Sequence, residues 1–107
     1  MAILHIVLFR IRADAPKPAI DRMIQELYGL KKLSGITRIE AGENFEHEYG
    51  QGYTHVLLVE FETREHLQAY DVHPDHVAVL NEHIIPLLEE TNGLLAVDCA
   101  VPYPSRR

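Results

Sequence analysis

The spacing of apolar residues changes once in the first part of the chain, which predicts a strand followed by a helix. Nearly every residue from 3 to 11 is apolar, as in a strand that is buried on both faces. Between residues 18 and 33 the apolar positions recur mostly at spacings of three and four, which is typical of an amphipathic helix. Ser34 and Gly35 are predicted to end this helix.

The middle and the end of the chain predict three more strands. Residues 37–45 and 53–62 flank a polar, glycine-rich segment and are predicted to form a hairpin. In the second of these strands His55 shares its parity with large apolar residues, so its side chain is predicted to face the core. Residues 94–101 are predicted to be the last strand, in which Cys99 is expected to be a small buried residue.

Residues 70–76, Tyr-Asp-Val-His-Pro-Asp-His, predict a break between two helical segments. The first segment is expected to end near Tyr70, and Pro74 fits the first position of the second, since it has no N–H to lose. If His73 and His76 both belong to that second segment, their spacing of three places them on one face. The break therefore brings three polar rings close to one another.

Local signals also predict where these helical segments begin and bend. Thr63 is a good N-cap, although His66 stands where a capping box has glutamate or glutamine. Pro86 removes one backbone hydrogen bond from the second segment, so a kink or restart is expected near Ile85.

The predicted order of elements is that of a ferredoxin-like βαββαβ sandwich, an α+β fold with two helices on one face of an antiparallel sheet. With 107 residues the chain is expected to form one domain, 1–107, with its core at about 3–101. The other face of the sheet would be bare in a monomer, and the first and last strands are apolar at both parities. We therefore expect a homodimer that packs through its sheet faces as a dimeric α+β barrel.

Composition and charge exclude several classes of protein. The net charge of −6 leaves no basic surplus for a nucleic-acid backbone, and Arg106 and Arg107 are too few for a basic patch. A single cysteine allows neither an intrachain disulfide nor a cysteine metal cluster. The sequence shows no apolar run long enough to span a membrane and no signal peptide, so a cytoplasmic setting is expected.

Polar rings lie on three predicted elements that can face one core: His5, His55 and the group Tyr70, His73 and His76. Buried neutral histidines need hydrogen-bond partners, so several together indicate a pocket. A histidine with a pKa near neutrality can take a proton from carbon next to a carbonyl, while a tyrosine hydroxyl holds the resulting oxyanion. This chemistry needs no cofactor. Two other interpretations stay open: the rings only cap the turn and pack, or the histidines bind a metal, although the HExxH spacing is absent.

Three motifs in one order resemble the stress-responsive A/B barrel (Dabb) family. They are His5-Ile-Val-Leu-Phe-Arg, Gly52-Tyr-Thr-His55, and Tyr70-x-x-His73-Pro74-x-His76. The resemblance covers nearly the whole chain, from His5 to about Asp98. It implies the dimeric α+β barrel of that family, in agreement with the fold predicted from the pattern.

The resemblance also implies an activity and roles for residues. A plant member of the family closes a linear poly-β-keto thioester by an aldol-type condensation that retains the carboxylate. By resemblance, His76 would be the general base, and Tyr70 would orient it and stabilise the oxyanion. The first helix and the residues after His76, which would shape an alkyl-binding tunnel, do not clearly match that member. The other candidate substrate-binding residues are His5, His55, His73 and Tyr28.

The expected partners are a second copy of the chain and a small molecule, with no cofactor and no metal. Two alternatives to a cyclase stay open. Some members of the family are heat-stable stress proteins, so the chain could be a non-catalytic stress-response or ligand-binding protein. The other alternative is a small monooxygenase of the same architecture, either cofactor-less or haem-binding.

Overall fold

A four-stranded antiparallel sheet in the order β2-β3-β1-β4 carries the helices on one face. The computed structural model describes residues 1–103, so the predicted tail with Pro104, Arg106 and Arg107 lies outside the described residues. The elements are β1 (Ala2–Phe9), α1 (Lys17–Gly29), β2 (Ile36–Glu43), β3 (His55–Phe61), α2 (Arg64–Val72), α3 (Pro74–Val79) and β4 (Leu94–Val101). The prediction of a ferredoxin-like α+β fold is therefore confirmed.

The strands keep their predicted order, but three of them are shorter than predicted. β1 stops at Phe9 because the backbone of Arg10 turns toward the segment before β4. The Arg10 N–H donates to the carbonyl of Gly93 at 2.7 Å, and the Arg10 carbonyl accepts from the N–H of Glu89 at 2.9 Å. α1 likewise ends early, and a short 3₁₀ turn, Leu30–Lys32, completes the predicted helical segment.

Alternate residues of the two central strands face the helices and form the core. His5, Val7 and Phe9 of β1 lie on this inner face, and the register of β1 with β3 places residues 55–61 of the same parity beside them. The largest fully buried side chains are Phe9, Met23, Leu27, Leu30, Val59 and Phe61. One continuous apolar core between sheet and helices results.

The outer face of the sheet is apolar along β1 and β4, whereas Arg38, Glu40 and Glu60 lie on its β2–β3 half; within residues 1–103 no helix or strand lies over this face. Leu4, Ile6 and Leu8 of β1 pair with Cys99, Val97 and Leu95 of β4. Val97 is 53 % exposed and Leu95 is 44 % exposed. The prediction that Cys99 is buried is wrong for the single chain, because register with Leu4 places it on this bare face, where it is exposed.

The predicted break between the second and third helices is present. α2 runs two residues beyond Tyr70, and α3 begins at Pro74. His73 lies between them in an extended conformation, with φ −64° and ψ 134°. Its Nδ1 accepts a hydrogen bond from the N–H of Asp75 at 3.0 Å. His73 is therefore the N-cap of α3 and does not lie within the helix.

The chain leaves α3 through a π-turn, Leu80–Ile84, followed by a 3₁₀ turn, Ile85–Leu87. Pro86 has no N–H with which to continue an α-helix. The N–H of Ile85 bonds to the carbonyl of Leu80, five residues earlier. The kink predicted near Ile85 is confirmed, and its form is a π-turn, a feature often found at functional sites.

The start of α2 packs against Gly35. The Thr63 hydroxyl accepts a hydrogen bond from the N–H of His66 at 3.1 Å, and it lies 2.8 Å from Nδ1 of the same histidine. His66 thus stands at the position that glutamate has in a capping box, but its ring contacts the Thr63 hydroxyl, whereas a glutamate would accept from the Thr63 backbone N–H. Gly35 has φ +83°, and a Cβ on it would overlap the His66 ring.

Gly35→Ala is expected to lower the free energy of unfolding by about 2–4 kcal/mol, since it combines left-handed strain with displacement of the capping histidine. Gly29→Ala is the matched control, because a Cβ on Gly29 meets no atom within 4 Å and its φ is −61°. That variant is expected to leave stability unchanged or raise it by up to about 1 kcal/mol. Urea unfolding followed by circular dichroism measures both, and equal effects of the two substitutions would refute the close contact.

Candidate functional site

A cavity of about 140 Å³ lies between the inner face of the sheet and the helices. Strands β1, β3 and β4 form one wall, and α1, the α2–α3 break and the π-turn form the other. Its polar lining residues are His5, Tyr70, Asp71 and His76. Its apolar lining residues are Val7, Phe9, Leu27, Leu57, Leu80, Ile84, Leu94 and Ala96. A largely apolar cavity with a few convergent polar groups is typical of a small-molecule site.

Tyr70 is the most deeply buried polar residue of this cavity, with 2 % exposure. Its ring packs edge-on against Phe61 at 5.1 Å and against His5 at 5.9 Å between centroids. Among residues 1–103 its hydroxyl has no hydrogen-bond partner. Burial, and next the charge of Asp71, raise the pKa of Tyr70, so the phenol stays protonated at neutral pH. It is a hydrogen-bond donor for which the described part of the chain provides no acceptor.

His76 stacks on Tyr70, with ring centroids 4.2 Å apart and planes tilted by 35°. Its Nδ1 donates to the backbone carbonyl of Asp71 at 3.1 Å, which fixes the neutral tautomer with the lone pair on Nε2. Burial lowers the pKa of His76, and the hydrogen bond to Asp71 only partly opposes this. The neutral ring is therefore the form present at pH 7, with a basic nitrogen beside a phenol.

His5 completes the polar group from the sheet side. Its Nδ1 lies 2.5 Å from Oδ1 of Asp98, its direct partner across β1 and β4. His5 is 8 % exposed, whereas the side chain of Asp98 is 46 % exposed. The carboxylate accepts a hydrogen bond from the Nδ1–H group, which holds the ring of His5 in one tautomer and one orientation. His5, Tyr70 and His76 are thus brought together by three different elements.

Asp98 is a residue that the sequence interpretation passed over. It is the only carboxylate in β4, and it has the parity of Leu94 and Ala96, which line the cavity. An isolated acid on the inward parity of an apolar strand is a usable signal for a buried partner. The register of β4 with β1 is then needed to identify that partner as His5.

The structure places His55 away from this cavity. Its inward direction agrees with its strand parity, and its exposure is 8 %. However, His5 lies opposite Val59 while His55 lies opposite Phe9, so the two histidines are four residues apart along the sheet, about 13 Å. The Nδ1 of His55 contacts the Thr54 hydroxyl at 2.9 Å. Burial lowers the pKa of His55, and Glu43 on β2 opposes this shift.

His73 and Tyr28 also lie outside the cavity, each with another contact. His73 caps α3, as described above, which uses its Nδ1. The hydroxyl of Tyr28 donates to the carbonyl of Ala41 at 3.2 Å and accepts from the N–H of Ala41 at 3.0 Å. Tyr28 therefore pairs with the outer edge of β2 and is 41 % exposed.

The described residues form neither a metal cluster nor a membrane-spanning helix. Within residues 1–103, no group of three or more His, Cys, Asp or Glu side chains is arranged to hold a metal ion. In the same part of the chain, no helix has the length and apolar character needed to cross a membrane.

The topology and the inner-face cavity define this chain as a ferredoxin-like α+β domain with a small-molecule-sized pocket under its helices. A solved structure of the same class is a dimeric ferredoxin-like protein of unknown function from Jannaschia sp. CCS1. It is 27 % identical, the match covers 94 % of this chain and 100 % of that one, and the TM-score is 0.77. The hydroxynitrile lyase from Passiflora edulis is also similar in fold, with a TM-score of 0.80, 16 % identity, and coverage of 98 % and 97 %.

The chain belongs to the stress-responsive A/B barrel domain family, whose family model matches residues 3–101. The resemblance seen in the sequence is thereby confirmed. A curated relative is a stress-response A/B barrel domain-containing protein of Arabidopsis thaliana, 35 % identical over 94 residues. The match covers 88 % of this chain and 35 % of the relative, so the chain spans about a third of that protein's length.

Proposed function

We propose that this domain is a cofactor-independent acid–base enzyme that removes a proton from carbon next to a carbonyl in a small ligand. The carrying observation is the Tyr70 hydroxyl, which is buried without a partner among residues 1–103. Such a group costs about 1–3 kcal/mol when it is left unsatisfied. An oxygen of a ligand bound in the cavity would satisfy it, and an oxyanion would do so best.

His76 supplies the second half of the reaction. In the proposed step the C–H bond next to the carbonyl breaks, the proton passes to Nε2 of His76, and the electron pair moves to the carbonyl oxygen as an enolate. Tyr70 donates its hydrogen bond to that oxygen. The enolate carbon can then bond to a second carbonyl of the same molecule, whose oxygen takes the proton back from His76.

This step is the first half of the aldol-type ring closure that the family resemblance implies. His5, held by Asp98, forms the wall opposite His76 and keeps Tyr70 in place through ring contact at 5.9 Å. We assign His5 a positioning role, and a substrate contact is its alternative. The proposed substrate of the domain is a linear poly-β-keto compound, in which such acidic carbons and second carbonyls occur together.

We also propose that the domain works as a homodimer through its outer sheet face. The apolar side chains of β1 and β4 on that face would otherwise remain in water, which is unfavourable for a patch of this extent. The similar Jannaschia protein is dimeric. The cavity lies on the inner face, so two copies would carry two separate cavities.

The proposed function is tested by exchange of the α-protons of cyclohexanone in D₂O, followed by NMR. Wild type is expected to catalyse the exchange, and Tyr70→Phe to lower the rate by about 10²–10³-fold through loss of the oxyanion donor. Because the hydroxyl makes no hydrogen bond to any of residues 1–103, Tyr70→Phe is also expected to leave the free energy of unfolding equal or higher.

The combination of lower rate and undiminished stability separates this proposal from a packing role. A structural hydroxyl with a hidden partner would instead lose about 1 kcal/mol of stability on substitution. If wild type binds the ketone but gives no exchange above a buffer control, the domain is a ligand-binding protein and the enzymatic proposal fails.

A further inference from the structure

The cavity opens along β4. Leu94 and Ala96 line it from this strand and are both exposed, Leu94 to 42 %. Asp71 lines the cavity from the last turn of α2, and it is exposed as well. A residue that lines a cavity and is also exposed lies at its opening. The carboxylate of Asp71 therefore lies where a ligand enters.

The described part of the chain offers no cation to balance this carboxylate. Among residues 1–103, no Lys, Arg or His nitrogen lies within 4.0 Å of it. In the same range, the lining of the cavity contains neither Lys nor Arg. His76 is neutral at pH 7, and His5 is bonded to Asp98, so that pair has no net positive charge even with a protonated ring. The cavity and its opening thus carry a net negative charge.

The negative charge of Asp71 acts on the two rings that are proposed to hold a ligand. Burial has the largest effect on the pKa of Tyr70 and on that of His76. The charge of Asp71 adds to the rise for Tyr70 and opposes the fall for His76. A carboxylate bound beside these rings would be repelled by Asp71, and it would lose its hydration without gaining a cation.

A positively charged ligand fails the other requirement of the site. The Tyr70 hydroxyl needs an acceptor, which residues 1–103 do not provide. Ammonium and amidinium groups have only donors, so they leave the phenol proton unpaired. An uncharged carbonyl supplies the acceptor and adds no charge. The proposed proton transfer to His76 also keeps the total charge constant, because it forms an imidazolium and an enolate together.

We infer that this cavity selects uncharged carbonyl compounds and that the unpaired carboxylate of Asp71 repels carboxylate ligands at its opening. The inference rests on the proposed function for the role of Tyr70 as the donor to the ligand. For a poly-β-keto substrate it means that the carboxyl end stays masked as an ester or thioester while the ring closes. A reaction that forms this ester must therefore come before the step at this cavity, and a product with a free carboxylate would leave.

Three planar ligands of similar size test the inference by binding alone. At neutral pH benzoate is an anion, benzamide is uncharged and benzamidinium is a cation, and a single ring suits a cavity of about 140 Å³. None of the three has a proton on the carbon next to its carbonyl or amidine carbon, so no turnover accompanies binding. Each is titrated into ¹⁵N-labelled protein, with the amides of Tyr70 and His76 as reporters. Wild type is expected to bind benzamide most tightly, and benzoate about tenfold or more weakly than benzamide.

Asp71→Asn is expected to change the affinities for the two ions in opposite directions. Benzoate is expected to bind about fivefold more tightly and benzamidinium about fivefold more weakly than to wild type, with benzamide changed by less than about twofold. A structural disturbance would instead move all three affinities in one direction. The variant is expected to fold, since Asp71 is exposed and lies near the C-terminal end of α2, where a negative charge is unfavourable.

Two further measurements keep the result interpretable. Raising the salt from about 0.01 M to about 1 M shortens the Debye length from ~30 Å to ~3 Å, so it is expected to narrow the wild-type difference between benzoate and benzamide without any substitution. Asp75→Asn is the matched control, since it removes the same charge four residues later. Asp75 pairs with Lys32 at 3.4 Å and lines a separate groove between α1 and α3. This variant is expected to keep the wild-type order of affinities.

The outcomes separate this inference from the proposed function. Equal binding of benzoate and benzamide to wild type, tightest binding of benzamidinium, or equal effects of the two asparagine variants would overturn selection by charge and leave α-proton exchange standing. Charge-selective binding without exchange of the cyclohexanone protons supports the inference and refutes the enzyme. Absence of binding of all three ligands to wild type overturns the inference, and the exchange experiment then decides the proposed function separately.

Discussion

Replacing His76 with alanine is expected to lower the rate of α-proton exchange in cyclohexanone by about 10²–10⁴-fold, the range that a positioned general base contributes. The physical reason is the fixed tautomer: Nδ1 is committed to the Asp71 carbonyl, so Nε2 carries the lone pair that can accept the proton. Tyr70 can hold an oxyanion, but as a protonated phenol it cannot take that proton.

The pH dependence of the wild-type rate gives a second check on His76. Burial lowers the pKa of His76 below its usual value of 6.5, so the neutral, active form persists to lower pH. The midpoint of the fall in rate on acidification is therefore expected below pH 6.5, as the ring gains a proton. His47→Ala, at an exposed position of the β2–β3 loop, is the control and is expected to keep the wild-type rate. Equal losses of exchange rate in His76→Ala and His47→Ala would show that His76 is not the general base.

Val97→Asp is expected to convert the proposed homodimer into monomers. Val97 lies on the outer face of β4, opposite Ile6, and is 53 % exposed in the single chain. In a two-fold symmetric interface the substitution occurs twice, so two unpaired carboxylates would be buried together. At about 2 kcal/mol for each, the dissociation constant is expected to rise about a thousandfold.

Sedimentation velocity over a concentration series measures this change. Val77→Asp is the matched control, because Val77 is 39 % exposed but lies on α3, on the helical side of the sheet. It is expected to remain dimeric, with its fold unchanged by circular dichroism. A wild type that stays monomeric at tens of micromolar, or equal effects of the two aspartates, would contradict an interface on the outer sheet face.

Local signals in the sequence were sufficient to predict the order of the elements and the breaks between them. Pro74 and Pro86 lack an N–H, and Gly35 adopts a positive φ, so each acts on the chain independently of its distant surroundings. The break before Pro74 and the irregular turn around Pro86 follow from the residues themselves. Strand ends were less predictable, since Arg10 leaves β1 only because Gly93 and Glu89 offer it other partners.

The set of residues that share the site was harder to predict from the sequence. The alternation of a strand shows which face a side chain is on, but not where along the sheet it lies. His5 and His55 have the same inward direction, and only the β1–β3 register shows that they are four residues apart. Asp98 becomes a partner of His5 only through the β1–β4 register. His73 could be assigned to the cavity or to the cap from its spacing alone, and the hydrogen bond to Asp75 favours the cap.

The contact between Tyr70 and His76 depends on His73, the single non-helical residue between α2 and α3. In an uninterrupted α-helix, residues six apart point about 120° away from each other and lie about 9 Å apart along the axis. Tyr70 and His76 are six apart, yet their rings are stacked at 4.2 Å. The extended conformation of His73 supplies the missing rotation. A sequence change that merged α2 and α3 into one continuous helix would thus separate the imidazole from the phenol while leaving both side chains intact, so a related chain could retain both rings without the proposed chemistry.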